Sequence, residues 1–269
     1  MKLALMEIGQ KFLMQKENRI IQENEISIHL FKDGYIFADN LKSTFYKKSL
    51  FTKKSIPGEI KSVNLNETKV SFISFNNTSH FIPSVIFDKN SLKSYFDKNK
   101  LNNYKFKTYY DISNHNDIVN VYTLREDEVL LNFFSLDKIS TISHYKTILL
   151  NTIIKSGKEF FNENVVYLNL QKNSFDIFYF INNKLNLSNS FSINNAEDFL
   201  YYFFYFSEQF NLNSNPFSIV FLGKFETFQA YYSAIRDFQT NISFLSKKNK
   251  DNLDNHPSPF LANYFSWWE

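Results

Sequence analysis

The chain has 269 residues, 43% of them hydrophobic and 19% aromatic, so it carries ample apolar material for a core built largely of Phe and Tyr rings. Its net charge of +3, from 30 basic and 27 acidic residues, is too balanced to point to nucleic acid or an acidic membrane. The absence of cysteine excludes disulfides, thiolate metal sites and cysteine nucleophiles, and only 5 Gly and 5 Pro exclude a loop-rich or disordered chain.

Residues 1–25 read as an N-terminal arm of mixed charge with weak periodicity. The apolar run within Met1 to Glu7 is too short for a secretory segment. Ile26 to Phe31 and Tyr35 to Ala38 read as strands joined at Lys32-Asp33-Gly34, where Asp-Gly predicts a type I′ turn with positive φ. A third strand spans about Thr44 to Thr52 and stops at Pro57-Gly58, with a short amphipathic turn from Glu59 to Leu65. Lys69 to Phe75 alternates as a strand. His80 to Pro83 leads into Ser84 to Phe87, and Asn90 or Ser91 caps a short helix with Leu92, Tyr95 and Phe96 on one face. Asp117 to Leu124 and Val129 to Phe134 read as strands. A helix from His144 to Lys155, with Ile148, Leu149, Thr152 and Ile153 inward, ends at Gly157.

The second half repeats the plan. Val165 to Leu170, Phe175 to Phe180 and Leu185 to Ile193 form a meander. The next helix opens at Asn194-Asn195, with Glu197 and Asp198 in its first turn, where the dipole favours negative charge. Phe199, Tyr202, Phe203, Phe206 and Phe210 share one face, and Leu200, Tyr201, Phe204 and Tyr205 cover most of the rest. A helix apolar nearly all round is expected to be buried on most sides, between a sheet and another lobe. Its longest apolar run, Phe199 to Phe206, is far below the ~18 residues of a membrane span, which with the N-terminus gives a cytoplasmic reading without membrane. A strand from Phe217 to Leu222, closed by Gly223, a helix from Glu226 to Phe238 and a strand from Asn241 to Leu245 follow. Meander, helix, strand, helix, strand is the ribonuclease H-like order, and two copies make the actin-like ATPase architecture, an α/β fold with mixed sheets. The expected organisation is an arm (1–25), a first lobe (26–157), a second lobe (158–246), and a linker with an aromatic tail (247–269).

Ile28 to Phe37, "FIPSVIFD" from Phe81 to Asp88, His144, "AEDFLYYFFYFSEQFNL" from Ala196 to Leu212, the strand ending at Gly223 and His256-Pro257 together resemble domain-of-unknown-function family 3822, a family of Bacteroidota. The resemblance implies a duplicated ribonuclease H-like, actin-like ATPase fold and no known activity. The chain departs from it after the first meander, where Ile56 to Asn66 is short and polar in place of a longer helix.

Actin-like ATPases hold phosphates on Asp-x-Gly hairpin turns, whose glycines admit the phosphates to backbone N–H groups and whose carboxylates organise Mg²⁺ and water. Here the first turn is Lys32-Asp33-Gly34, with Asp and Gly adjacent. The second is Gln171-Lys172-Asn173-Ser174, with neither. The glycine pair of an adenosine loop is reduced to Gly223 before Lys224. No cofactor is therefore expected; if Mg-ATP binds, the nearest candidates are Lys32, Asp33, Gly34, Gln171, Asn173 and Gly223. Neither Ile26 to Phe31 nor Val165 to Leu170 holds the carboxylate that nuclease chemistry needs in its first strand. His29, His80, His115, His144 and His256 have no metal-ligand spacing, and His144 reads as a helix-start residue with a structural hydrogen bond. No catalytic or metal residue is assigned.

Two stretches are candidate partner surfaces. Lys42, Lys47, Lys48, Lys53, Lys54 and Lys61, interleaved with Phe45, Tyr46 and Phe51, suit either a solvated strand edge or nucleic acid, and the edge is favoured. The tail Phe260 to Trp268 either docks on its own lobe or presents Trp267 and Trp268 to a partner, and docking is favoured. The overall reading is a non-catalytic, actin-like interaction or scaffold protein with an unidentified protein partner. The alternatives are a divergent nucleotide-binding ATPase and a nucleic-acid-binding protein using the Lys42 to Lys61 strip.

Overall fold

A computed structural model describes residues 24–38, 43–47, 68–75, 78–96, 106–114, 117–125, 134, 139–156, 164–212, 216–245 and 256–262. The chain divides into two compact units. One holds the chain up to Ile73 and from Asp127 to Ile142, and the other runs from Ser74 to Glu126 and from Ser143 to Tyr264.

In the first unit, β1 (Asn24–Leu30), β2 (Gly34–Ala38) and β3 (Ser43–Lys47) form an antiparallel meander. β4 (Thr68–Ser74) and β8 (Ile139–His144) complete a sheet of order β3-β2-β1-β4-β8. Its core includes the fully buried Ile28, Tyr35, Val70 and Phe72. The Ser71 and Ser140 hydroxyls, 2.9 Å apart, link β4 to β8. The β1–β2 hairpin corrects the expected turn. The Phe31 N–H donates to the Gly34 carbonyl at 2.9 Å, so Lys32 and Asp33 are the two central residues and Gly34 already belongs to β2. Among the described residues, positive φ is confined to Asn182, Asn183, Asn211 and Gly223. The Asp-Gly pair is one position out of step with the turn, so its conformational freedom is not used there.

The second unit contains two sheets. β5 (Ser79–Pro83), β6 (Phe106–Ile112) and β7 (Ile118–Arg125) form an antiparallel sheet of order β5-β7-β6. β6 has no counterpart in the sequence reading. The strand lies at Ser79–Pro83, and Ser84–Ile86 is a 3-10 turn. The next 3-10 segment, Lys89–Tyr95, is capped by Asp88 and not by Asn90 or Ser91: the Asp88 carboxylate accepts from the Asn90 N–H (2.9 Å) and the Ser91 hydroxyl (2.6 Å). The charged Asp side chain satisfies two donors at once. Helix α1 (Tyr145–Ser156) buries Tyr145, Ile148, Leu149, Leu150 and Ile153.

β9 (Asn164–Gln171), β10 (Ser174–Ile181) and β11 (Lys184–Ser192) form the second antiparallel meander. β12 (Ser218–Leu222) runs parallel to β9, and β13 (Ile242–Leu245) runs parallel to β12. The order β11-β10-β9-β12-β13 repeats the strand order of the first unit's sheet, as the ribonuclease H-like reading requires. The β10–β11 turn is the left-handed one: Asn182 (φ 48°) and Asn183 (φ 65°) both take positive φ, which Asn tolerates better than other side chains.

Alternation splits this sheet into two faces. Val166, Leu168, Leu170, Phe175, Ile177 and Tyr179 pack on helices α2 (Ala196–Gln209) and α3 (Gln229–Arg236). The Asn195 side chain caps α2, accepting the Asp198 N–H at 2.8 Å. Contrary to expectation, α2 is not enclosed. Phe199, Phe203, Phe206 and Ser207 are buried, but Tyr201 and Tyr205 are 67% and 50% exposed. Their phenolic groups reach water, and the Tyr205 oxygen accepts from Gln209 (2.9 Å), so an aromatic outer face needs no second layer. No helix among the described residues is long and apolar enough to cross a membrane.

Residues 256–262 join this unit. His256, Ser258, Pro259, Phe260, Leu261 and Ala262 are buried, and the Lys172 N–H donates to the Pro257 carbonyl at 2.8 Å. Because Phe260 is only 2% exposed, Phe260→Ala should lower the unfolding free energy by about 3–5 kcal/mol, measured by urea denaturation; a loss under about 1 kcal/mol would place Phe260 outside the core.

Candidate functional site

A buried carboxylate stands at the centre of the second unit. The face of the β9–β10–β11 meander opposite α2 carries Asp176, fully buried, with Asn169 and Ser190 directly beside it in register on the neighbouring strands. Gln171 lies two residues further along β9 on the same face. Asn169 donates to Asp176 Oδ2 at 2.9 Å and Gln171 to the same oxygen at 2.8 Å. Tyr145, from the first turn of α1, donates to Oδ1 at 2.8 Å, and Ser190 donates to it as well. Both oxygens are thus fully engaged. Burial and then the Asp176 charge hold the Tyr145 hydroxyl well above its usual pKa, so it remains a donor.

The first turn of α1 is a junction. The His144 N–H donates to Asp111 Oδ2 on β6 at 2.7 Å, and Tyr122 on β7 donates to Asp111 Oδ1 at 3.0 Å. The His144 Nδ1 accepts the Lys146 N–H at 3.2 Å, the structural hydrogen bond of a helix-start histidine. Burial pushes Asp111 up to about 6, with the His144 N–H, Thr147 and Tyr122 pulling it part-way back. Tyr145 stacks on Phe75 with centroids 5.2 Å apart and rings nearly parallel.

Lys146 follows. It is 6% exposed, and its side chain makes no hydrogen bond or ion pair with a described residue. Burial lowers its pKa, and the Asp176 charge raises it part-way back. Its side chain lines a cavity of about 630 Å³ between β5 and β11, which Ser79 to Pro83, Ile118, Leu185 to Ser190 and Ser192 also line. Phe81 and Phe178 bring the two sheets together at 6.2 Å.

The positions singled out from the sequence fall as follows. Lys32 and Asp33 are exposed at the β1–β2 turn, and Gly34 is buried at the start of β2, paired with Lys47. Gln171 is buried on Asp176, while Asn173 is exposed in the β9–β10 turn with its carbonyl accepting the Ile193 N–H at 3.0 Å. Gly223 follows β12 at φ +81°. Its N–H donates to the Leu245 carbonyl at 3.0 Å, and Tyr232 donates to its carbonyl at 3.4 Å. A Cβ at Gly223 would lie 2.4 Å from the Phe225 ring and 3.2 Å from Phe260. Lys48, Lys53, Lys54, Trp267 and Trp268 lie outside the described residues, as do Val129 to Phe133, Gly157 and His115. His29 is buried in β1, 3.1 Å from Ser27 Oγ. Among the described residues, no three His, Asp or Glu side chains converge as a metal site would require. Asp176 and Lys146 are the residues that sequence reasoning missed. The signal was a lone charge inside each of two apolar stretches, Phe175-Asp176-Ile177 and Tyr145-Lys146-Thr147-Ile148.

Paired five-stranded sheets with the order 3-2-1-4-5 define an actin-like ATPase fold. A solved protein of unknown function from Bacteroides thetaiotaomicron VPI-5482 with that fold is similar to this chain, at a TM-score of 0.68 and 19% identity, over 84% of this chain and 92% of that one. The PilM–PilN type IV pilus biogenesis complex matches at a TM-score of 0.47 and 10% identity, over 83% and 88%. The chain belongs to the DUF3822 family, described as a protein of unknown function, whose model matches residues 16–242. No curated protein matches it in sequence.

The buried acids can be tested one at a time. Asp176→Ala leaves four donors without an acceptor and should cost at least about 3 kcal/mol in urea denaturation; Tyr145→Phe should cost about 1–3 kcal/mol. For Asp111 the folded-state pKa lies above the unfolded value, so the native state binds more protons between them and stability falls as pH rises through that window. Wild type should therefore lose up to about 3 kcal/mol between pH 4 and 7 relative to Asp111→Asn. Parallel pH dependences of the two melting temperatures would show that Asp111 is not the titrating group.

Proposed function

We propose that this actin-like protein is a non-catalytic interaction module. The observation that carries the reading is the plug at Gly223. The one glycine available to an adenosine loop has the space above it filled by its own Phe225 and Phe260 rings, and its carbonyl held by Tyr232. Its positive φ serves that packing. The β9–β10 turn adds support. Gln171 is turned inward onto Asp176, and Asp176 has no free oxygen left to orient water or a cation.

An interaction role draws on exposed apolar side chains. Val85 is 90% exposed, Ile86 67%, Ile112 51% and Tyr110 40%, and Phe87 joins the 3-10 turn to Tyr110 at 5.1 Å. Exposed apolar side chains gathered in this way are typical of protein-binding surfaces. They lie on and beside the "FIPSVIFD" stretch.

Thermal stability in millimolar Mg-ATP, Mg-ADP and Mg-GTP tests the reading. No shift with any of them is expected. Nucleotide at 100 times its Kd would add about 2.7 kcal/mol, so a rise of several degrees in Tm would favour a divergent nucleotide-binding ATPase, with Asp33→Ala as the next variant.

A further inference from the structure

We propose that the cavity between β5 and β11 is a binding site for a small carboxylate-bearing molecule, with its negative charge on the Lys146 ammonium and its body against the two strand edges. The residues concerned lie outside the Gly223 loop, so this inference and the nucleotide reading stand or fall separately.

Three observations converge on the cavity. The first is its shape. Its volume, about 630 Å³, is in the range of small-molecule sites. It is lined by consecutive residues on both strands, Ser79 to Pro83 and Leu185 to Ser190. Successive strand residues point to opposite faces, so a cavity touching all of them meets the strand edges. β5 is the outer strand of its sheet and β11 of its own, so each edge offers backbone N–H and C=O groups to a ligand.

The second is Lys146. An ammonium largely withdrawn from bulk water gains from an acceptor that contacts it directly. Lys146 is only 6% exposed and faces the cavity, yet it makes no side-chain hydrogen bond or ion pair with any described residue. The nearby acid cannot supply one, because Tyr145, Ser190, Asn169 and Gln171 already occupy both Asp176 oxygens. The third is a pair of hydroxyls. Ser79 and Ser188 line the cavity from opposite strands, and their Oγ atoms, withdrawn from water just beneath its surface, have no hydrogen-bond partner among the described residues.

Charge selects the anion. Among the described residues that line the cavity, Lys146 is the one Lys or Arg, with the Asp176 carboxylate close behind it. A singly charged carboxylate adds one negative charge to that pair, whereas a doubly charged phosphate would add repulsion with no second Lys or Arg among the described lining residues. Phe81, Pro83 and Leu185 suit an apolar body next to the charge.

The test is titration of the full chain with butyrate, N-acetylleucine, N-acetylleucinamide and inorganic phosphate, followed by calorimetry. At least one carboxylate should bind and the amide should not. Lys146→Met should weaken binding at least about tenfold while keeping the wild-type circular dichroism, since methionine preserves the aliphatic stem and removes the buried charge. Ser188→Leu, which fills the cavity from the other wall, should abolish binding independently. Tighter binding of N-acetylleucine than of butyrate would identify the natural source as a peptide C-terminus, and the reverse as a free small acid. The inference is overturned if neither carboxylate binds, if the amide or phosphate binds as tightly, or if both variants bind like wild type.

Discussion

A carboxylate placed inside a sheet sets the terms for the second unit. Asp176 has no access to water, so every acceptor direction must be met by the protein. The meander supplies three donors by register alone, from Asn169 and Gln171 on β9 and Ser190 on β11. The fourth, Tyr145, must come from another element. That requirement fixes the first turn of α1 over the polar face of the sheet, and it ties the helix and the three-stranded sheet behind it to the β9–β11 meander. Replacing such a site by apolar residues could keep the fold, but removing the acid alone leaves its donors stranded.

The same helical turn also answers Asp111. His144 gives its backbone N–H to Asp111 and takes the Lys146 N–H on its ring, while Tyr145 turns to Asp176 and stacks on Phe75. Three consecutive residues thus face two acids and one cavity. Lys146 is left as the member of this turn whose side chain has no partner among the described residues. Its position follows from its neighbours: with Tyr145 and His144 both committed, the lysine is carried into the cavity by the helix geometry.

Around this polar centre the fold is closed by rings. Phe175, Phe199, Tyr231 and Phe191 pack edge to face or stacked on the α2 side, and Phe221, Tyr232 and Phe244 continue the pattern towards Gly223. There Phe225 and Phe260 fill the space over the glycine.

Local pattern revealed the two meanders, the helix capped at Asn194-Asn195 and the buried strand closed by Gly223, and their order together with the family resemblance gave the ribonuclease H-like repeat. These are set by short-range alternation, capping and turn chemistry, which the sequence carries directly. The Asp-Gly turn failed because a hairpin's central pair is decided by strand register, and register is a property of two strands. The enclosure expected of α2 failed because Tyr is apolar by ring and polar by hydroxyl, and which end wins depends on what lies above the helix. Asp176 and Lys146 were invisible as a site for the same reason. Each is an ordinary charged residue until pairing between β9, β10 and β11 and the crossing of α1 bring together groups distant in the chain, so sequence determined the elements and their order, while only tertiary structure decided which charges are satisfied and which is left facing a cavity.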